Sequence, residues 1–514
     1  MIHFVAEHDA KKSPSEKFFE FSALRGLKTP QKNNRIISYK FLKKLELMSL
    51  DFLTSSTDKI YSNLRLLEHT KDLNKLTLQH LVKEDRDLQL VYRVIKRCKY
   101  LTSLDFNTMN RAEKITDKGL FWLKRIFRLV KNVRSLSFSG LRQNMTEVSI
   151  YKTFSLLPKL EFLQKISLEL SFNGRWMNNL SLLCSLLAAC SKAKFISLNL
   201  KYYDIILDQT FVDFFTPLTK VPSLREVSII FGAYNFNLVD PDSLAKSMHD
   251  FLEKSVSLEH FSLEMRLDQA ILLDFPFEKA KNLKKLNICL KESRGLSDKN
   301  FSAFVHGLRR CANIQELTIN LCKCANLSDN SVESLSQALL NLKQLRILEL
   351  VLGSKIVANT TLSGRSIECL GESLGKLDSL QELGLVLSNI SRVCDRDVAI
   401  LMDRLKYLKN IRDLKLDLSL CKLTSQAFQS LQKTLSQLRT IETFELDLFS
   451  CHEISGMFLS ILCSCLISEK ETLANMQKLM INLTGTRIHK SESTLYYSNL
   501  KKFYPKSYIS LYIK

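Results

Sequence analysis

The chain reads as an α/β solenoid, a tandem array in which every repeat supplies one strand to a parallel sheet and one helix to the opposite side. Two observations predict it. Apolar residues recur at fixed offsets through residues 298–352: Phe301, Phe304, Leu308 and Cys311 precede Ile314, Leu317, Ile319 and Leu321. Val332, Leu335, Leu339 and Leu342, then Leu345, Leu348, Leu350 and Leu352, repeat the arrangement. The first four positions of each set fall on one face of a helix, and the last three alternate as along a strand. The second observation is compositional. The 514 residues are 45% hydrophobic, with 14 Gly and 8 Pro. That is ample apolar mass for a core, and too little turn chemistry for a hairpin-rich β protein or for disordered linkers.

Taken in order, residues 1–41 precede the first strand. They contain Lys/Ser-rich segments and one apolar, helix-like stretch, Phe18–Leu27, and are expected to cap the open end of the array with a loose tip. The array itself is expected over 42–514. Its strand signature, L-x-x-L-x-L, first appears at Leu42, Leu45 and Leu47. It returns from Leu73, Leu101, Val133, Leu163, Ala193, Leu224, Leu258, Leu283, Ile314, Leu345, Leu380, Ile411, Ile441 and Met476. A last copy fits Ile509, Leu511 and Ile513, placing the final strand near 506–514. These are about 16 repeats of ~31 residues, a period that means a solenoid.

Helices keep register with the strands. Leu120, Leu123, Phe127 and Val130 lead to Val133; Phe211, Phe214, Leu218 and Val221 lead to Leu224. Ile367, Leu370, Leu374 and Leu377 lead to Leu380, Val398, Leu401, Leu405 and Leu408 to Ile411, and Phe428, Leu431, Leu435 and Leu438 to Ile441. Asp117, Ser297-Asp298, Ser328-Asp329, Asp397 and Thr424-Ser425 stand where capping residues are needed.

These residues resemble the leucine-rich repeat superfamily, in its long ribonuclease-inhibitor-like class, over roughly 42–514. Leu296-Ser297-Asp298, Leu327-Ser328-Asp329 and Leu423-Thr424-Ser425 are similar to the loop that leads into the helix in that class. The resemblance implies a horseshoe, with the sheet on the concave face, the helices on the convex face, and protein binding without chemistry. The chain departs from the family where Asn or Cys usually follows the strand; here that slot is mostly apolar. Three further irregularities appear. The Leu258–Leu283 unit is short, with no clean helix face over Arg266–Ala280. The units from Leu224, Leu345 and Ile441 are long, and the loops Gly232–Asp242 and Gly353–Ser363 hold the surplus of the first two.

Function is sought on the outward strand positions. These carry 12 acids against 6 bases, a balance of −6, whereas the whole chain is +21. The concave sheet is therefore acidic in an otherwise basic molecule. Its last seven strands hold the candidate protein-binding residues Glu316, Glu349, Glu382, Asp413, Lys415, Asp417, Glu445 and Asp447, which suit a basic protein segment. Ser137, Ser167, Ser197, Ser228 and Ser262 share one offset and are expected to form a ladder. The basic residues cluster at Lys124, Arg125, Arg128, Lys131 and Arg134, at Arg309-Arg310, and at Lys501, Lys502 and Lys506. They support the alternative of a nucleic-acid-associated or ribonucleoprotein component, although no aromatic pair is expected to interleave them. A ubiquitin-ligase substrate-recruiting subunit is a further alternative by resemblance.

Enzyme signatures are absent: there is no phosphate-binding loop, dinucleotide fingerprint, zinc-protease helix or kinase motif. No catalytic residue, cofactor, metal or small-molecule substrate is expected. His260 is the one histidine placed on the concave sheet. The 13 cysteines lack zinc-finger spacing and are expected to be reduced and structural, Cys98, Cys190 and Cys311 filling the last helix offset. No stretch suits a signal peptide or a membrane span, so the expected location is cytoplasmic, with the nucleus as the alternative.

Overall fold

The computed structural model describes residues 2–5, 19–20, 47–51, 73–79, 84–107, 115–141, 145–170, 180–200, 206–207, 215–231, 237–238, 241–266, 275–505 and 507–512. The chain divides into two compact units, Met1–Asn235 and Phe236–Lys514. Each is built from strand–helix repeats whose strands pair in parallel. The fold is thus an α/β solenoid of strand–helix repeats.

In the first unit the strands are β1 (Ile2–Val5), β2 (Phe19–Glu20), β3 (Leu47–Asp51), β4 (Lys75–Gln79), β5 (Ser103–Asn107), β6 (Ser135–Leu141), β7 (Lys165–Leu170), β8 (Phe195–Leu200), β9 (Ile206–Leu207) and β10 (Glu226–Phe231). From β3 to β8, and on to β10, neighbours pair in parallel with each signature position opposite its counterpart. The helices are α1 (Asp85–Ile95), α2 (Asp117–Leu129), α3 (Glu147–Phe154) and α4 (Leu180–Ala188).

The second unit holds β11 (Asn237–Leu238), β12 (His260–Glu264), β13 (Lys285–Cys289), β14 (Glu316–Asn320), β15 (Ile347–Val351), β16 (Asn359–Ser363), β17 (Glu382–Val386), β18 (Ile390–Arg392), β19 (Asp413–Asp417), β20 (Thr443–Asp447), β21 (Lys478–Asn482) and β22 (Tyr508–Tyr512). Its helices are α5 (Pro241–Lys254), α6 (Asp298–Arg309), α7 (Asp329–Leu339), α8 (Gly364–Leu374), α9 (Asp395–Leu405), α10 (Leu431–Leu435), α11 (Gly456–Ser468) and α12 (Lys490–Phe503). From β12 to β22 the main-sheet strands pair in parallel without a register shift.

The periodic positions are the core. All sixteen apolar residues named between Phe301 and Leu352 are buried. Along β14 and β15 they alternate with residues left at the surface, as one buried sheet face requires.

Four expectations need correction. The first strand signature is shifted: Met48 pairs with Leu76 and Leu50 with Leu78. In register, Met48 and Leu50 rather than Leu47 therefore take the signature positions of this copy, and Leu42 and Leu45 lie outside the described residues. The run Phe41–Leu50 is apolar in two registers, and pairing with β4 selects one. Phe19–Glu20 is a strand, with β1 lying antiparallel against it and against β3, where a helix-like stretch was expected. The rest of the proposed cap, 1–41, lies outside the described residues. Among the described residues before β10 there is a 3₁₀ turn, Thr216–Lys220, with Pro217 at its start; Phe211 and Phe214 lie outside the described residues. The helix expected over 428–438 is split into a 3₁₀ turn, Ser425–Phe428, and the short α10. In the short repeat, where no clean helix face was expected, the described residues hold a 3₁₀ turn, Phe277–Lys279. Phe275 and Phe277 fill that space, meeting Phe304 edge-on at 6.5 and 5.7 Å.

Polar ladders run between repeats. The first residue of several helices is an Asp whose carboxylate accepts the backbone N–H and hydroxyl of the next repeat's N-cap. Asp85 serves Thr116, Asp117 serves Thr146, Asp298 serves Ser328, Asp329 serves Ser363 and Asp395 serves Thr424. The Ser/Thr-Asp pairs thus cap their own helix and fasten the next one. Asp397, read as a cap, instead accepts the backbone N–H of Cys394, the true N-cap.

A candidate protein-binding face

The free side of the second unit's sheet is ordered by register into three rows. One row runs Ile347, Glu382, Asp413, Thr443 and Lys478. The next runs Glu349, Gly384, Lys415, Glu445 and Met480. The third runs Val351, Val386, Asp417, Asp447, Asn482 and Tyr512. Gly384 leaves a gap between Glu349 and Lys415, and a groove of about 700 Å³ lies over these rows. Seven of the eight candidate residues line it: Glu349, Glu382, Asp413, Lys415, Asp417, Glu445 and Asp447. Glu316 does not, and pairs with Lys285 at 2.6 Å. Apolar floor and rim come from Val386, Phe449, Met480 and Tyr512.

The acids are not equivalent. Asp417 and Asp447 end their strands, and each accepts the backbone N–H two residues on, from Ser419 at 3.0 Å and Phe449 at 2.9 Å. Their other oxygens hold Lys355, whose Nζ lies 2.6 Å from Asp447 and 3.4 Å from Asp417. The same ammonium stands 6.0 Å from the centre of the Phe449 ring. Burial works against the Lys355 charge, but the hydrogen bond to Asp447 and the field of both carboxylates outweigh it and raise its pKa. Glu445 is taken by Lys478 at 2.6 Å. Glu349, Glu382 and Asp413 have no ion-pair partner among the described residues.

Lys355 reaches the groove from the surplus loop after β15, and local chemistry aims it. At Gly353 a Cβ would collide with the Ser388 carbonyl, so only glycine permits this close approach. Ser354 Oγ then accepts the backbone N–H groups of Ile356 and Val357, turning the chain back. The remainder of the insertion forms β16, which pairs with β18. Sequence reasoning marked this loop as surplus but missed Lys355. Its partners are 62 and 92 residues away, and nothing local signals them. The other surplus loop, Gly232–Asp242, lies mostly outside the described residues.

Elsewhere, the serine ladder forms in the first unit: Ser137, Ser167, Ser197 and Ser228 are register partners. Asp105 heads it, its pKa raised by burial against a hydrogen bond from Ser137. All 13 cysteines are free thiols and nine are buried. Cys324, Cys421 and Cys451 occupy one position after the strand and donate to carbonyls of the preceding repeat, Leu290, Leu387 and Leu418. Burial pushes Cys324 and Cys451 up to about 12. His249, Asp250 and Glu253 gather on the surface of α5, with Asp250 beside His249 and Glu253 paired to Lys279.

One expectation about the basic clusters is overturned. Aromatic rings do interleave them: the Arg125 guanidinium lies over Tyr92, Phe121 and Trp122 at 5.2–5.3 Å. Tyr92 and Trp122 are 30 residues apart, about one repeat, and that spacing was the available signal.

No family model matches the chain, and no curated protein matches it. Among solved structures, an internalin from Listeria monocytogenes is similar at 16% identity with a TM-score of 0.41, covering 82% of this chain and 93% of that one. No described helix is long and apolar enough to cross a membrane.

Proposed function

We propose that the chain is a non-catalytic protein-binding scaffold, and that the free sheet face of the second unit takes a basic protein segment. The observation that carries this reading is Lys355: a lysine already sits between Asp417 and Asp447 against Phe449. That is the environment a partner's lysine or arginine would require. Beside it, Glu349, Glu382 and Asp413 offer three carboxylates with no ion pair among the described residues. Acids arrayed this way steer a basic partner and fix its register more than they add affinity. The helix-bearing repeats and the Ser/Thr-Asp junctions support the long ribonuclease-inhibitor-like class. The buried free thiols support a reducing, cytoplasmic setting.

The test uses a fluorescent 15-residue Lys/Arg-rich peptide. Glu349→Lys, Glu382→Lys and Asp413→Lys combined should weaken its binding at least tenfold, with unchanged thermal unfolding. The pair Asp417→Lys and Asp447→Lys should do the same. Retention of full affinity by both variants sinks the reading.

A further inference from the structure

A second surface, in the first unit, carries the opposite charge and different chemistry. Residues 115–165 contain ten Lys/Arg and three acids, a net of +7. Two facts make this charge available. Asp117 is consumed as the acceptor for the Thr146 cap, as Asp85 is for Thr116. Among the described residues, no carboxylate pairs with Lys118, Lys124, Arg125, Arg128, Lys131, Lys152 or Lys159.

These cations are set among exposed rings. Phe121 is 55% exposed and Phe162 46% exposed. Phe121, Arg125 and Arg128 follow one another at helical spacing down the outer face of α2. They lead to a groove of about 500 Å³ beyond its end, walled by Arg128, Lys131, Lys159, Asn132 and Phe162, with Glu161 as its one carboxylate. Lys192 lies 5.6 Å from the Phe162 ring centre.

We propose that this face binds single-stranded nucleic acid, with phosphates on Arg128, Lys131 and Lys159 and bases on Phe162 and Phe121. Unpaired cations match a phosphate backbone, and each exposed ring beside them matches a base, the combination that sequence-tolerant single-strand sites use. A bilayer is the poorer fit, because Arg128, Lys131 and Lys159 line a recess rather than a flat face. An acidic peptide would have no use for the rings.

The experiment measures fluorescence anisotropy of a labelled 20-nucleotide poly(U) RNA on the full chain. Binding should weaken with salt, log K against log salt falling with a slope of about −2 for three phosphates. Arg128→Glu, Lys131→Glu and Lys159→Glu combined should lose at least tenfold. Phe162→Ala should lose about fivefold or more. A control, Lys376→Glu with Lys409→Glu on the second unit, should stay within twofold. If the triple reversal unfolds the chain, the Gln triple replaces it and should still lose at least fivefold. The proposal is overturned by salt-independent binding, by equal loss in the control, by an unaffected triple variant, or by tighter binding to phosphatidylserine vesicles than to RNA. The Glu349/Glu382/Asp413 reversal should leave RNA binding intact, so this proposal and the protein-binding one fail separately.

Discussion

The two units share a repeat and differ in what happens to its charges. In the second unit, several cations are met across repeats. Lys285 holds Glu316, Lys323 holds Glu292, Arg365 holds Glu333 and Arg487 holds Glu453. Three acids without an ion pair among the described residues, Glu349, Glu382 and Asp413, face the groove. In the first unit, Asp85 and Asp117 are spent on caps while the lysines and arginines of α2 and α3 have no ion pair among the described residues. A formal charge of +21 therefore says little about partners. What matters is which charges the fold has already used.

If the difference lies only on the surface, the cores should respond alike. Leu350 and Leu136 are both fully buried at inward signature positions of their strands. Leu350→Ala and Leu136→Ala should each cost about 2–5 kcal/mol in urea unfolding. Ile347→Ala, on the free face of the same strand as Leu350, should cost about 1 kcal/mol or less. A cheap Leu350→Ala would break the register on which both candidate surfaces depend.

The helix junctions should show a graded difference. Asp298 accepts from Ser328 through both N–H and hydroxyl and from the Ser331 hydroxyl. Asp117 has only the Thr146 pair. Asp298→Ala should therefore cost about 1–3 kcal/mol and Asp117→Ala less. Burial pushes the Asp298 carboxyl up, but its hydrogen bonds win and hold it below the usual range. A depressed folded pKa gives stability that is complete above the unfolded value near 4 and is lost as pH falls through the folded value. Wild type should lose that increment in acid titrations of unfolding, and Asp298→Ala should have none to lose. An unchanged acid limb in the variant would remove Asp298 from the ladder.

Thiols provide a comparison on which the units should agree. Burial pushes Cys190 in the first unit and Cys451 in the second up to about 12. Neither should react with an aromatic disulfide reagent at pH 8 in the folded state, whereas exposed Cys394 should react within minutes. Fast reaction of Cys451 would mean that the turn following β20 opens.

The repeat was legible because burial of one side chain in two or three leaves a period in the sequence. The offsets from Phe301 to Leu352 describe the core as observed. What escaped is polar and long-range. The Ser-Asp pairs announced caps, but not that each Asp fastens the following repeat. The run Phe41–Leu50 offered two registers, and only a neighbouring strand chose between them. The row of acids from Glu349 to Asp447 could be placed by counting, because outward positions also follow the period. Which of those acids are occupied could not, since Lys355 belongs to an insertion that obeys no period.

Lys355 makes the smallest stability prediction and the one that most sharpens the contrast. Its ammonium is paired twice, yet its side chain is 45% exposed, so Lys355→Ala should cost only about 0–1 kcal/mol. Lys124→Ala in the first unit, which has no ion pair among the described residues, should cost nothing measurable. Binding should separate the two residues in the other direction. Lys355 occupies the acids that a basic segment would use, so its removal should strengthen the Lys/Arg-rich peptide's binding severalfold. Lys355→Ala combined with Asp417→Asn and Asp447→Asn should erase that gain. Weaker peptide binding by Lys355→Ala alone would mean that Lys355 organises the groove for a different ligand, and the second unit would then lack the open acidic face that distinguishes it from the first.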